Sequence, residues 1–414
     1  MYKEYTAMHA QPTSPKRFIG LDIHKHYLVA IGVDAQQNQV FGPMRVPLSR
    51  LDAFISKQLT PTDAVAIEMT TNAWQLYDRL EPHVASVTVV HPPHVALIVR
   101  AQVKTDKKAA LTLAQLHAAG LLPGVWVPPK AVRDLRALVA QRMKMVRLVN
   151  QAKNRLHAVI HRYAFSLPEG PLFGKDNRAW WEALPLSHLE LALIQCDLDT
   201  LDFANAQIHH LELVMARMAA QDERTPLLIQ LPGIRMINAL TILAAIGEIE
   251  RFSEPKKLVG YAGLGAKVHH SGQTKRNGKI TKAGRRDLRS TMVRAAFSAA
   301  QTHPHWKAVF KKMEPRLGRN KATVAIARKL LIAVWYVLTY QEPDRFAVPK
   351  RVARDLMVFT MRTGRANRPE GWTTMAYVRH HIDRLGLGDQ VDYVQWSPSR
   401  RMILPPPGSV PDPV

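Results

Sequence analysis

Three acidic residues, Asp22, Glu68 and Asp106, stand where short strand-like runs end or a helix begins, in a chain with a formal charge of +24. Carboxylates repel one another, and a chain this basic has little reason to gather them unless they hold a metal ion. A hard cation such as Mg2+ takes oxygen donors, commonly only a few carboxylates, with a substrate phosphate completing its shell. Two such ions about 4 Å apart can activate a nucleophile and stabilise a leaving oxygen. Each acid also has an ordinary explanation: Asp22 as a turn cap, Glu68 as a strand-end acid, Asp106 as the N-cap of the helix that follows. Their joint placement favours a metal site over three separate accidents.

A second reactive segment lies far along the chain. His269-His270-Ser271-Gly272 is followed by Lys275, Arg276, Lys279, Lys282, Arg285, Arg286 and Arg289, with glycines at 272, 278 and 284 that let another backbone or a phosphate come close. From Gly265 to Arg294 there are nine Lys/Arg and one acid, Asp287. Those cations suit phosphate groups. Ser271 is then either a phosphate-contacting hydroxyl or a nucleophile; a serine hydroxyl is weak unless a base or metal activates it and cations stabilise the developing charge. His269 and His270 could help, but adjacent histidines in a basic loop are more often simple phosphate contacts.

The elements that must position these groups follow from the apolar pattern. Arg17 to His24, Tyr27 to Val33 and Gln39 to Pro47 read as strands, with a polar turn at Gln36-Gln37-Asn38. Ser49 is the expected cap of a helix through Gln58. Ala64 to Met69 and Ser86 to Val90 read as strands, and Asn72 to Leu80, His94 to Ala101 and Lys107 to Ala119 as helices. Three strands in a meander followed by alternating helix and strand is the order of an RNase H-like α/β domain, although other three-layer α/β folds share it. In that fold the metal ligands come from the first strand, the end of the fourth and a late helix, where Asp22, Glu68 and Asp106 fall.

Pro123 to Pro129 reads as a boundary. Ala131 to Arg162 and Leu189 to Met218 predict two long helices around a Pro/Gly-rich loop, an antiparallel hairpin suited to a spacer or oligomerisation arm. Leu231-Pro232-Gly233-Ile234 before the apolar run Ile237 to Ile246 resembles a helix-hairpin-helix turn, in which backbone amides approach a phosphate; a Pro-Gly before a helix is also common for other reasons. Arg285 begins a helix that buries Leu288, Met292, Ala295, Ala296 and Ala299 and leaves Arg289 and Arg294 outward. Past Pro343 little periodicity remains, and Pro405 to Val414 predicts a disordered tail.

A pI near 10.3 and the further basic blocks Lys130 to Arg162 and Lys307 to Lys329 predict a polyanionic partner. A single cysteine, Cys196, excludes an internal disulfide and a cysteine zinc site. With no uninterrupted apolar stretch of membrane length and no apolar signal core before Lys16, the expected location is the cytoplasm, without a membrane partner.

Gly20-Leu21-Asp22-Ile23-His24-Lys25, Ile67-Glu68, Lys104-Thr105-Asp106, Leu231-Pro232-Gly233-Ile234, Gly260-Tyr261-Ala262-Gly263-Leu264, Ser271-Gly272 and Ile280-Thr281-Lys282-Ala283-Gly284, in this order and spacing, resemble the transposases of the insertion-sequence 110/1111 family, the bridge-RNA-guided DNA recombinases. The resemblance spans Phe18 to Val337. It implies an α/β plus α architecture: a leader (1–16), an RNase H-like (RuvC-like) metal-binding domain (17–128), a helical-hairpin spacer (129–224), a mainly helical transposase domain with a catalytic serine (225–345), and a partly disordered C-terminal extension (346–414). It further implies that Asp22, Glu68 and Asp106 bind Mg2+ and that Ser271 forms a covalent bond with DNA. A structured noncoding guide RNA would specify donor and target DNA, and serine and carboxylates would meet across subunits of a dimer or tetramer associated with the nucleoid.

One position departs from the pattern. The family motif continues Asp-x-x-Asp, a spacing that sets both acids on one helix face, yet position 109 is alanine and no acid follows until Asp134. Ala109 is therefore expected to mark an inactivated variant. A metal-dependent junction nuclease, using the carboxylates and not Ser271, and a non-catalytic basic scaffold are the competing readings.

Overall fold

Arg17–Ile23 (β1) sends two kinds of side chain to its two faces, as an extended chain must. Ile19, Leu21 and Ile23 enter one core, while Gly20 and Asp22 face the other way. In the computed structural model, which describes residues 15–98, 105–271 and 274–411, β1 is the middle of a five-stranded sheet. It pairs antiparallel with Tyr27–Val33 (β2), which pairs antiparallel with Gln39–Pro47 (β3). After Leu51–Gln58 (α1), Asp63–Glu68 (β4) lies parallel to β1; after Ala73–Leu80 (α2), Ser86–Val90 (β5) lies parallel to β4. The order is β3-β2-β1-β4-β5. Pro92–Ile98 (α3) and Asp106–Ala118 (α4) complete this unit, Met1–Pro128.

The two faces of this sheet are built differently. Leu21, Ile67 and Val65 pack with Leu51, Phe54, Ile55, Leu76 and Leu80 from α1 and α2. The opposite face is lined by small residues where α4 crosses it. A Cβ on Gly20 would stand 2.0 Å from the Ala110 carbonyl oxygen and 2.7 Å from the Ala114 amide nitrogen, so the helix backbone rests directly on the strand. That close approach fixes the first turn of α4 over the end of β1.

Two caps differ from expectation. Ser49 lies in a short 3-10 turn, and α1 begins at Leu51 without a side-chain cap. The cap of α4 is Thr105, whose hydroxyl accepts from the Lys108 amide at 3.3 Å; Asp106 is the first helical residue, where its charge favours the positive end of the helix dipole.

The second unit, Pro129–Val414, is mainly helical. Lys130–Tyr163 (α5) and, beyond the short Arg178–Glu182 (α6), His188–Gln221 (α7) run antiparallel: Arg155 Nε donates to Asp197 Oδ1 at 2.7 Å and Arg142 Nε to Glu212 Oε1 at 2.9 Å. Leu156, Ile160, Ile194, Leu198 and Trp181 pack between them. Arg224–Ile229 (α8), Met236–Ile246 (α9) and Pro255–Tyr261 (α10) lead to a hairpin, Ala266–Ser271 (β6) with Thr274–Ile280 (β7). Arg286–Thr302 (α11), Pro304–Leu317 (α12) and Arg319–Tyr340 (α13) follow. The 22-residue α13 has the length and hydropathy of a membrane span, a property the sequence reading did not assign to any segment, but Ile326, Leu330, Leu331 and Val334 are fully buried in the core of this unit.

The C-terminal region, expected to be a partly disordered extension, carries regular elements among its described residues. Pro349–Thr363 (α14), Thr374–Arg384 (α15) and the hairpin Tyr393–Ser397 (β8) with Arg400–Ile403 (β9) belong to the same core, through Leu356, Phe359, Tyr377, Val378, Ile382 and Val394. Leu404, just before the expected tail, is buried, and within the tail's described part the Gly408 amide donates to Asp383 Oδ2 at 2.9 Å. Against the expectation of little periodicity past Pro343, α14 buries Val352, Leu356, Phe359 and Thr363 at helical spacing; Gly364 and Gly371, both at positive φ, lie between it and α15.

Candidate metal centre and serine hairpin

Asp22 and Asp106 come together because α4 sits on Gly20. They are joined by a residue without an assigned role in the sequence reading: His24 Nε2 lies 3.2 Å from Asp22 Oδ2 and 3.3 Å from Asp106 Oδ2. One donor atom from each of the three residues falls within 4.8 Å of the others. Tyr27 OH donates to Asp106 Oδ2 at 2.9 Å, its ring stacks on His24 at 4.6 Å, and the Arg45 guanidinium covers its other side at 3.8 Å.

Burial pushes the Asp22 carboxyl above its ordinary range; the charge of Asp106 pushes it further, and His24 opposes both. The hydrogen bond to Asp106 likewise raises the Tyr27 hydroxyl. Two carboxylates held this close favour a cation between them, and the donor set of two carboxylates and an imidazole fits a divalent metal.

Glu68 stands outside this three-residue group. The β1–β4 ladder runs to Leu21 opposite Ile67, so Asp22 and Glu68 are the next residues on neighbouring strands and point to the α4 face. α4 packs mainly across β1 and β2, which brings Asp106 to Asp22, His24 and Tyr27 rather than to β4. Ala109 lies on the first turn of α4, its amide donating to the Thr105 carbonyl at 2.9 Å. His24 was legible in principle: two residues beyond Asp22 along an extended run places it on the same face. Tyr27 and Arg45 carried no such signal, because only the tertiary fold brings them to Asp106.

In the second unit Ser271 ends β6, paired with Thr274, with His270 opposite Lys275 and His269 opposite Arg276. For residues 268–277 the description stops at backbone pairing, and Gly272, like Lys104 of the N-terminal motif, lies outside the described residues. The foot of the hairpin is closed by backbone bonds: Thr281 N to Gly265 O at 2.8 Å, Lys282 N to Gly263 O at 3.1 Å and Arg285 N to Tyr261 O at 2.9 Å.

The expected phosphate-binding cations divide into two groups. Lys279, Lys282 and Arg286 are exposed. Arg285 instead grips Asp287, Nε to Oδ1 at 3.0 Å, and Arg289 Nη1 donates to the Ala262 carbonyl at 3.0 Å, so both brace the hairpin foot. Other cations are also used internally: Arg136 Nε donates to Ala244 O at 2.7 Å, Arg251 Nε to Ile246 O at 2.8 Å and Arg224 Nη1 to Gly247 O at 2.9 Å, satisfying the last carbonyls of α9. The Gly233 turn faces protein as well. A Cβ there would meet the Ala295 carbonyl oxygen at 2.3 Å, so close packing against α11 accounts for this glycine at φ +80°.

The chain matches two family models and resembles several known proteins. Residues 19–165 match the DEDD transposase model of the IS110 type, and residues 225–311 match the model of the transposase IS116/IS110/IS902 family. The chain is 23% identical to the transposase for insertion sequence element IS1111A of Coxiella burnetii over 342 residues, 80% of this chain and 91% of that protein. It is 28% identical to the pilin gene-inverting protein of Moraxella bovis over 344 residues, 79% of this chain and 97% of that protein. A probable family 20 transposase of Pseudomonas aeruginosa is 24% identical over 341 residues, 78% of this chain and 96% of that protein.

Proposed function

The chain belongs to the IS110/IS1111 family of transposases, and on that premise we propose that it exchanges DNA strands through a covalent serine–DNA intermediate, in a copy impaired at position 109. The N-terminal unit acts as an RNase H-like, RuvC-like domain; its strand order and the seating of α4 on Gly20, which brings Asp106 to Asp22, are the observations that support this. α5 and α7 form the spacer. A structured noncoding RNA selects donor and target DNA, and Ser271 and the carboxylates belong to different subunits of a dimer or tetramer working on the nucleoid.

In this mechanism Asp22 and Asp106 hold Mg2+, with Glu68 completing the acidic set from β4. When bound, the cation supplies Lewis-acid stabilisation of charge on phosphoryl oxygens. Tyr27 orients the Asp106 carboxylate and His24 holds the two acids in register. The Ser271 hydroxyl attacks the scissile phosphorus, its proton passing to a neighbouring base; the Oγ–P bond forms as the bond to the leaving strand breaks. The exposed cations of the hairpin, Lys279, Lys282 and Arg286, steady the phosphates, joined by Lys275 and Arg276. A strand hydroxyl then attacks the phosphoserine, which restores Ser271 and joins the new strand, so no external energy source is needed.

Ala109 removes the acid that would share the helix face of Asp106. The test is recombination by the Ala109→Asp protein against the unaltered chain, with guide RNA, Mg2+, donor and target. A gain of at least tenfold is the expected order of effect; equal activity sinks the impairment reading.

A further inference from the structure

Between α12 and α13, closed by the 341–346 loop, lies a pocket of about 710 Å³, within the roughly 300–1,000 Å³ of small-ligand sites. Its walls are aromatic: His305, Trp306, Tyr336, Tyr340 and Phe346. His305 lies flat on Phe346, centroids 3.5 Å apart, and Tyr336 stacks on Tyr340 at 5.9 Å and 21°. Tyr336 and Tyr340 are 50% and 58% exposed, large rings left in water. The Trp306 side chain is almost wholly buried, and its indole N–H finds no acceptor in the protein.

The helices flanking this pocket are strongly basic, while its own rim carries Lys329 and Arg345 against Glu342 and Asp344. Pro304 to Tyr340 carries eight Lys/Arg, at 307, 311, 312, 316, 319, 321, 328 and 329, all exposed, against one acid, Glu314. The loop acid Asp344 is committed inward, its Oδ2 accepting from the Phe346 amide at 3.2 Å. A second copy docked face to face here would bring like charges together. A nucleic acid strand brings the opposite charge, and its bases have flat faces that stack on aromatic rings without sequence preference.

We propose that this pocket receives an unpaired base of single-stranded DNA while α12 and α13 hold the adjoining phosphates. The inference rests on the DNA strand-exchange reading above, since exchange exposes unpaired bases, and adds a stacking site that neither Ser271 nor the carboxylates provide.

The test uses the full chain and a single-stranded oligodeoxynucleotide containing 2-aminopurine, whose fluorescence is quenched on stacking. Binding should quench it. Tyr336→Ala and Tyr340→Ala should each weaken single-strand binding about tenfold, leave duplex binding unchanged, and be rescued by Tyr336→Phe and Tyr340→Phe, with melting curves confirming that the variants fold. Unchanged single-strand affinity in both alanine variants overturns the proposal. So does preferential binding of the matching RNA oligonucleotide, which makes the pocket an RNA site, or loss of self-association in sedimentation without loss of DNA binding, which makes it an interface between copies. If duplex binding persists while the tyrosines have no effect, the pocket inference fails alone. If the chain binds no DNA of either kind, the strand-exchange reading fails with it.

Discussion

His24 Nε2 lies within 3.3 Å of both Asp22 and Asp106, and Ala109 matters beside this group. A carboxylate at 109 would add a donor on the same turn of α4 as Asp106. The Ala109→Asp protein should therefore bind Mg2+ or Mn2+ about tenfold more tightly by calorimetric titration, a readout independent of turnover; unchanged affinity would mean that side chains at 109 do not reach the ion. The sequence made Asp22, Glu68 and Asp106 visible because the order of strands and helices places such acids. It left His24, Tyr27 and Arg45 without roles, since an imidazole beside an acid is common and the Tyr27–Asp106 bond spans 79 positions.

At the scale of elements, the site depends on how closely α4 approaches β1. Gly20→Ala puts a methyl group 2.0 Å from the Ala110 carbonyl oxygen. It should cost about 1–3 kcal/mol in denaturant unfolding and abolish the cation binding that Asp106 shares. Gly265→Ala, which meets nothing within 4 Å, should cost little in the same measurement. Buried imidazoles contribute one part of the pH dependence. Burial lowers His117, which meets Thr88 at 3.3 Å, from 6.5 to about 4, and His381 from 6.5 to about 3. For both, the unfolded chain takes up protons at higher pH than the folded one. Stability is thus held above pH 6.5 and lost as pH falls toward 4. His117→Gln should flatten that acid limb in pH-resolved melting, and an unchanged limb would assign it elsewhere. Strands were legible here because β1, β2 and β4 are short apolar runs, whereas caps were not, since Ser49 and Thr105 are equally good capping residues and only backbone geometry separates them.

For the molecule as a whole, the charge of +24 overstates the surface offered to DNA. Arg136, Arg224 and Arg251 close the end of α9, and Arg285 and Arg289 brace the hairpin foot. Composition could not reveal this: Arg136, Arg224 and Arg289 bond to backbone carbonyls distant in sequence, and composition does not show that Arg251 and Arg285 turn to near neighbours. In the C-terminal region the helical spacing of Val352, Leu356, Phe359 and Thr363 is legible in the sequence, whereas the core that they complete is not. Truncation after Pro343 removes Leu356, Phe359, Tyr377, Val378 and Ile382 from that core; each buried side chain of this kind contributes about 1.5–3 kcal/mol, so the truncated chain should lose cooperative unfolding of the second unit by circular dichroism, while a fully cooperative transition would show the extension to be dispensable. Whether Ser271 bonds to DNA decides between strand exchange and simple cleavage. The direct measurement incubates the Ala109→Asp protein with guide RNA, Mg2+ and end-labelled DNA, with and without Ser271→Ala, and resolves the products on a denaturing gel. A labelled protein–DNA adduct that disappears with Ser271→Ala is the predicted result; cleaved DNA that persists without Ser271, and without any adduct, would contradict it and point to a metal-dependent nuclease.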